Sequence, residues 1–188
     1  MKEQMMKTSI ELFGNKGFRS TSIQDIVEAN GATKGTFYYY FKNKEGVLVQ
    51  IHESFIDHLL NGQEQIMQNK QSTNHEKLYQ IVETLIRNIR SNGNSAMVFF
   101  REMRHLSDEK TAAILPKRQL FQENIQKVIE DGILMNEFRQ DLRTDMLSYA
   151  VLGIANWSYF WYEPDGEVKE NELTDIYMSM IFKGIEGE

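Results

Sequence analysis

Between residues 33 and 44 the chain reads Thr-Lys-Gly-Thr-Phe-Tyr-Tyr-Tyr-Phe-Lys-Asn-Lys, which crowds lysine ammoniums, hydroxyls and three phenols onto little more than three turns of helix. No histidine or acid lies within the run to activate a nucleophile, so its chemistry is that of hydrogen-bond donation. Lys34, Thr36, Tyr38, Tyr39 and Tyr40 supply the donors. Gly35 adds a stretch of backbone that a partner can approach closely. Such a set suits a partner rich in acceptors.

The flanking residues say how the set is held. Phe37 and Phe41, four apart, give the segment Lys34–Phe41 one apolar edge, and a helix this short is stable only if that edge is anchored on a neighbour. Thr33 can cap it, and Asn30-Gly31 upstream can stop a preceding helix through positive φ. That preceding helix carries Ile23, Ile26 and Val27 as its apolar stripe. Thr21 or Ser22 begins it, with Gln24 or Asp25 positioned to complete a capping box. Two short helices around a tight turn, the second presenting its N-terminal residues, form the helix-turn-helix that enters the DNA major groove.

Residues 8–46 resemble the DNA-binding domain of TetR-family transcriptional regulators. The resemblance rests on the entry Glu-Leu-Phe-Gly-Asn-Lys-Gly-Phe, the step Thr-Ser-Ile-x-x-Ile, and the block running from Gly31-Ala-Thr-Lys-Gly-Thr through Phe-Lys-Asn-Lys-Glu45. It implies that Thr21, Tyr38, Tyr39 and Lys44 touch phosphates, while Lys34, Gly35 and Thr36 lie nearest the base edges. Tyr40 stands where the family commonly has histidine, and its phenol can still donate. With the cap hydroxyls of Ser22 and Thr33, these residues make the candidate DNA-binding set.

Charge is distributed in the same sense. The net charge of −6 conceals seven basic against five acidic residues over 1–46, and 14 against 22 over the remainder. Phosphate binding therefore belongs to a domain at 1–46, and an acidic domain at 47–188 is expected to avoid DNA. Two excess charges are few, so two copies and directed hydrogen bonds must carry the affinity.

Other chemistries find little support. There is no cysteine, hence no disulfide framework and no thiolate metal site. His52, His58, His75 and His105 show no metal-binding spacing, and no GxSxG, phosphate-loop or dinucleotide fingerprint occurs. We expect no enzyme and no cofactor. No apolar run is long enough for a membrane span and no signal peptide is apparent, which fits a cytoplasmic location.

Hydrophobic periodicity predicts an all-α chain of about nine helices. Lys2–Asn15 is a first helix, ended by Gly17, with Phe18 packing back beneath the small domain. A fourth helix from Asn43 or Lys44 keeps Leu48, Ile51, Phe55, Leu59 and Ile66 in line and leaves the DNA-binding domain as a stiff lever. A break at 68–74 precedes a stripe of Leu78, Ile81, Val82, Leu85, Ile86 and Ile89, and a turn is expected at 91–94. Ala96 to Leu106 forms the next helix, and Pro116 should kink or restart the one after it. Residues 145–162 are apolar almost all round, and the last helix carries a further stripe. A helix without a polar face needs cover on several sides. We therefore expect a homodimer closed as a twofold four-helix bundle, with Leu147, Val151, Ile154, Ile176, Met180 and Ile181 at its interface. Two recognition helices related by a twofold axis would read double-stranded DNA as an inverted repeat, with half-sites about 34 Å apart.

The aromatic and methionine content of the larger domain suits a small apolar effector that weakens operator binding by favouring one of two states. Phe99, Phe100, Met103, Arg104, Phe121, Ile125, Trp157 and Trp161 are the candidate ligand-binding residues. The segment Gly153–Gly166, with its Asn-Trp and Trp-Tyr-x-Pro-x-Gly pattern, is similar to TetR-like regulators whose effectors are acyl-coenzyme A thioesters. That likeness implies an acyl-CoA effector, whose phosphates Arg101, Arg104, Lys117 or Arg118 could meet. A multidrug-sensing repressor would instead set a buried acid, Glu102, against aromatics to hold a lipophilic cation. From another class, a helical dimeric adaptor would use the tyrosine helix to dock protein, not DNA.

Overall fold

In the computed structural model, residues 1–185 are described. Residues 186–188, the end of the expected second domain, lie outside that part. Eight α-helices follow one another: α1 Lys2–Lys16, α2 Ile23–Ala29, α3 Lys34–Tyr40, α4 Lys44–Gln68, α5 Asn74–Arg101, α6 Asp108–Leu134, α7 Thr144–Trp157 and α8 Glu170–Ile185. Short 3₁₀ turns stand at Met103–His105 and Ser158–Phe160, and no strand occurs among the described residues. The all-α expectation holds.

Packing divides the chain into two units, Met1–Asp57 with Asn92–Pro116, and His58–Ser91 with Lys117–Glu188. This division does not fall at the expected boundary at residue 46, since residues 92–116 pack with the N-terminal segment.

In the first unit, Met5 and Phe13 of α1, Ile26 and Val27 of α2, and Phe37 of α3 are at most 2% exposed and form one core. Val47, Leu48 and Ile51 of α4 are buried to the same degree. Gly17 ends α1 at φ 84°, a conformation that glycine adopts without strain. Phe18 packs back as expected, edge-on to Phe13 and stacked on His105. The Glu45 carboxylate accepts a 2.7 Å hydrogen bond from the Ser107 N–H, which ties the start of α4 to the segment leading into α6.

In the second unit, the predicted α5 stripe is buried throughout, with Leu78, Ile81, Val82, Leu85, Ile86 and Ile89 at most 8% exposed. Polar ties fix its ends. The Glu137 carboxylate accepts from Asn74 Nδ2 and the His75 N–H, both at 2.9 Å, and so serves the otherwise unpaired N-terminus of α5. Arg90 holds Glu170, Asp165 and the Pro164 carbonyl together, fixing the turn that leads into α8. A Cβ on Gly132 would lie 2.3 Å from the Phe138 ring, so α6 closes on that ring only because this position is glycine.

The two expected breaks turn out differently. The turn predicted at 91–94 is present as a kink: α5 is two helical stretches meeting at Asn92, whose φ −132° and ψ 18° are not helical. Ile89 before the kink and Ala96, Val98 and Phe99 after it are all buried, and the kink falls where Asn-Gly-Asn favours a turn. Pro116 lies inside α6 without interrupting it, forfeiting the hydrogen bond its ring nitrogen cannot donate.

Candidate nucleic-acid interface

α2 begins where Ser22 caps it. Ser22 Oγ accepts from the Asp25 N–H at 3.1 Å, and Asp25 Oδ2 accepts from the Ser22 N–H at 2.7 Å, a complete capping box. The bonds from the Ser22 backbone and hydroxyl hold the Asp25 carboxyl below its ordinary range. Gly31, at φ 58°, turns the chain out of α2. Thr33 Oγ1 accepts from the Thr36 N–H at 3.2 Å and shares a 3.0 Å hydroxyl contact with Thr36, starting α3.

α3 is seven residues long and is held by two rings. Phe37 and Phe41 are 0% and 2% exposed, with centroids 5.3 Å apart. This fixes what the helix shows outward. Tyr38 is 55% and Tyr39 81% exposed, Lys34 and Gly35 are exposed, and Thr36 and Tyr40 are half-buried. Tyr39 and Tyr40 stand edge to face at 4.9 Å. A Cβ on Gly35 would meet only Thr33 Oγ1, at 3.6 Å, so nothing within the chain demands a glycine there. One face of α3 thus offers an ammonium, phenols and bare backbone to an outside partner.

Two expected phosphate donors are withdrawn from that face. Thr21 is 1% exposed, and its hydroxyl donates to the Gly17 carbonyl at 2.9 Å. Lys44 donates to the Phe18 and Thr21 carbonyls, both at 2.6 Å, and its ammonium lies 4.3 Å from the Phe18 ring centroid. Burial lowers the Lys44 pKa, partly offset by the charge of Asp25. Both side chains are struts that shape the 17–21 loop, because the carbonyls left by the end of α1 need donors. Sequence reading had assigned no role to Lys16 and Arg19. With Gly17, Phe18, Ser20, Glu102, Arg104 and His105 they line a groove of about 420 Å³. Only their charge signalled them; the closeness of residues 102–105 is a tertiary fact.

Residues 6–51 match the family described as bacterial regulatory proteins, tetR family, and residues 71–185 match the tetracyclin repressor-like C-terminal domain. The chain belongs to the TetR family. A TetR-family relative, the HTH-type transcriptional repressor KstR2 of Mycolicibacterium smegmatis, is 24% identical over 98% of this chain and 90% of its own length. Among solved structures, the ketosteroid transcriptional regulator KstR2 of Mycobacterium tuberculosis superposes with TM-score 0.90 at 21% identity, covering 100% of this chain and 95% of that one. AibR in complex with isovaleryl coenzyme A and operator DNA gives TM-score 0.87 at 21% identity, covering 96% and 97%. At such identities the structural likeness establishes the TetR fold. The TetR-family match and the repressor relatives establish a transcription regulator, not an enzyme.

The other candidate TetR-family sites are placed less uniformly. Val151 and Ile181, expected at a dimer interface, are 0% and 6% exposed within the chain, because the second unit needs an inward stripe from each helix. Leu147 and Ile154 are half-buried, whereas Ile176 and Met180 are 54% and 57% exposed. Met146, Tyr149 and Trp157 of α7 are also exposed, on the face that Ala150 and Gly153 share. Among the ligand candidates, Phe99, Phe100, Met103 and Arg104 belong to the first unit and Phe121, Ile125, Trp157 and Trp161 to the second. Trp157 and Trp161 are 66% and 48% exposed and do not line an interior cavity. Phe121 borders a void of about 10 Å³ with Leu59, Gln63, Ile66, Ile81, Thr84 and Leu85. The void is the size of one water. Among the described residues no helix is long and apolar enough to cross a membrane, and no group of three or more candidate ligands could hold a metal ion.

Proposed function

We propose that the chain is a homodimeric repressor in which residues 1–46 read an inverted-repeat operator through α3, and residues 47–188 dimerise and bind a small apolar effector that releases the DNA. The observation that carries this reading is the face of α3, where Lys34, Gly35, Tyr38 and Tyr39 are exposed while Phe37 and Phe41 are locked beneath them. In this reading Lys34, Gly35 and Thr36 meet base edges, and Tyr38, Tyr39 and Tyr40 meet phosphates, with the cap hydroxyls of Ser22 and Thr33 beside them. Seven residues of helix read only a few base pairs, so a twofold pair is needed for a site of useful length.

The exposed apolar faces of α7 and α8, Met146, Tyr149, Trp157, Ile176 and Met180, are the surface proposed to meet its own copy. Patches of this kind mark contact sites when rimmed by polar groups. For the effector we favour an acyl-CoA, supported by the 153–166 pattern and by the fold shared with AibR, a protein solved with isovaleryl coenzyme A. An acyl chain needs a pocket of some hundreds of Å³, so the side chains around the Phe121 void would have to separate to admit one. Effector binding would favour one state of the protein over another to the extent that the void opens more easily in that state.

The test is selection of bound sequences from a random duplex library with the full chain, followed by fluorescence anisotropy across a salt series. Recovery of an inverted repeat bound by two chains, with affinity falling steeply as salt rises, supports the reading. Recovery of no sequence, or binding indifferent to salt, refutes it.

A further inference from the structure

The groove at the α1–α2 loop is not used by the operator reading. Lys16, Arg19 and Arg104 line it, and among the described residues none of their three side chains has an ion-pair or hydrogen-bond partner. Along the same wall the backbone N–H groups of Phe18, Arg19 and Ser20 also lack partners among the described residues. Glu102 is the one acid in the lining, 7% exposed, and its Oε2 lies 3.3 Å from His105 Nε2. The groove therefore carries three cations against one carboxylate. That carboxylate is already engaged by an imidazole, which itself stacks on Phe18 with ring centroids 5.7 Å apart. At about 420 Å³ the groove is within the range of small-molecule sites.

We infer that this groove binds a small phosphorylated metabolite, with Arg19, Arg104 and Lys16 holding phosphate oxygens and the Glu102–His105 pair receiving a hydroxyl or amino group of the same molecule. Guanidinium groups pair phosphate oxygens two at a time, and the 18–20 amides supply further donors of the right sign. The inference does not depend on the identity of the effector proposed above, nor on operator binding.

Inorganic pyrophosphate is the probe, titrated calorimetrically into the full chain at physiological salt. The expected result is saturable binding, one per chain, weakened roughly tenfold or more by Arg19→Gln or by Arg104→Gln, the loss of one charge-assisted hydrogen bond. Lys7→Gln, an exposed cation outside the groove, should leave it unchanged. Thermal melts of each variant, matching the parent, show that a loss is local. Absence of saturable binding overturns the inference, as does an equal loss in Lys7→Gln. So does Arg104→Gln sparing pyrophosphate while lowering the salt slope of duplex binding by about one, which would assign the groove to the DNA backbone.

Discussion

Replacing Gly35 with alanine should move folding stability and operator affinity in opposite directions. Glycine within a helix is about 0.5–1 kcal/mol less favourable than alanine. The added methyl meets nothing nearer than Thr33 Oγ1 at 3.6 Å, an ordinary contact, so the gain is not offset by strain in the uncomplexed chain. For a protein of this size about 1 kcal/mol corresponds to roughly 2–4 °C, so a rise of about 1–4 °C is expected in a circular dichroism melt. If the Gly35 backbone lies against a duplex, the same methyl overpacks that contact at about 1–3 kcal/mol, a loss of roughly 5- to 150-fold in anisotropy with a labelled operator. A simple folding defect would lower both quantities, so opposite signs separate the two causes. An affinity equal to the parent's, with the expected rise in melting temperature, would show that α3 does not bring Gly35 to the DNA.

Lys44→Gln is expected to destabilise the first unit by about 1–3 kcal/mol, since the Phe18 and Thr21 carbonyls lose a shared charged donor; Lys34→Gln should leave the denaturant midpoint unchanged and weaken duplex binding. Thr33→Ala removes the cap of α3 and should cost about 1 kcal/mol, read as a lower denaturant midpoint. The Asp25 carboxyl is held below its ordinary range in the fold, so its contribution is complete above the unfolded value near 4 and is lost as pH falls through the lower folded value. The melting temperature should therefore drop in acid, and Asp25→Asn should remove that part of the drop. Ile176→Glu with Met180→Glu should convert a dimer to monomer in sedimentation while leaving helical content intact, because both side chains are exposed within the chain; an unchanged sedimentation coefficient would move the interface elsewhere.

Much of the first unit was legible in its sequence because its signals are local. A cap is one hydroxyl three residues from an amide, so Ser22, Asp25 and Thr33 announce where α2 and α3 begin, and Phe37 and Phe41 announce which edge is inward. The α5 stripe was equally plain, since six apolar residues at helical spacing leave a single face to bury. Adjacency between distant segments has no such local mark. Thr21 and Lys44 looked like donors for a phosphate, and became struts because the loop after α1 brings bare carbonyls to them. Val151 and Ile154 read alike as apolar residues of one helix, but packing against the second unit's core buries the first fully and the second only in part. The approach of residues 102–105 to Lys16 and Arg19 has no trace in either segment. The order of elements and the outward chemistry of α3 follow from the chain's own periodicity and caps, whereas which donors stay available, and which apolar faces go uncovered, depends on neighbours that only folding supplies.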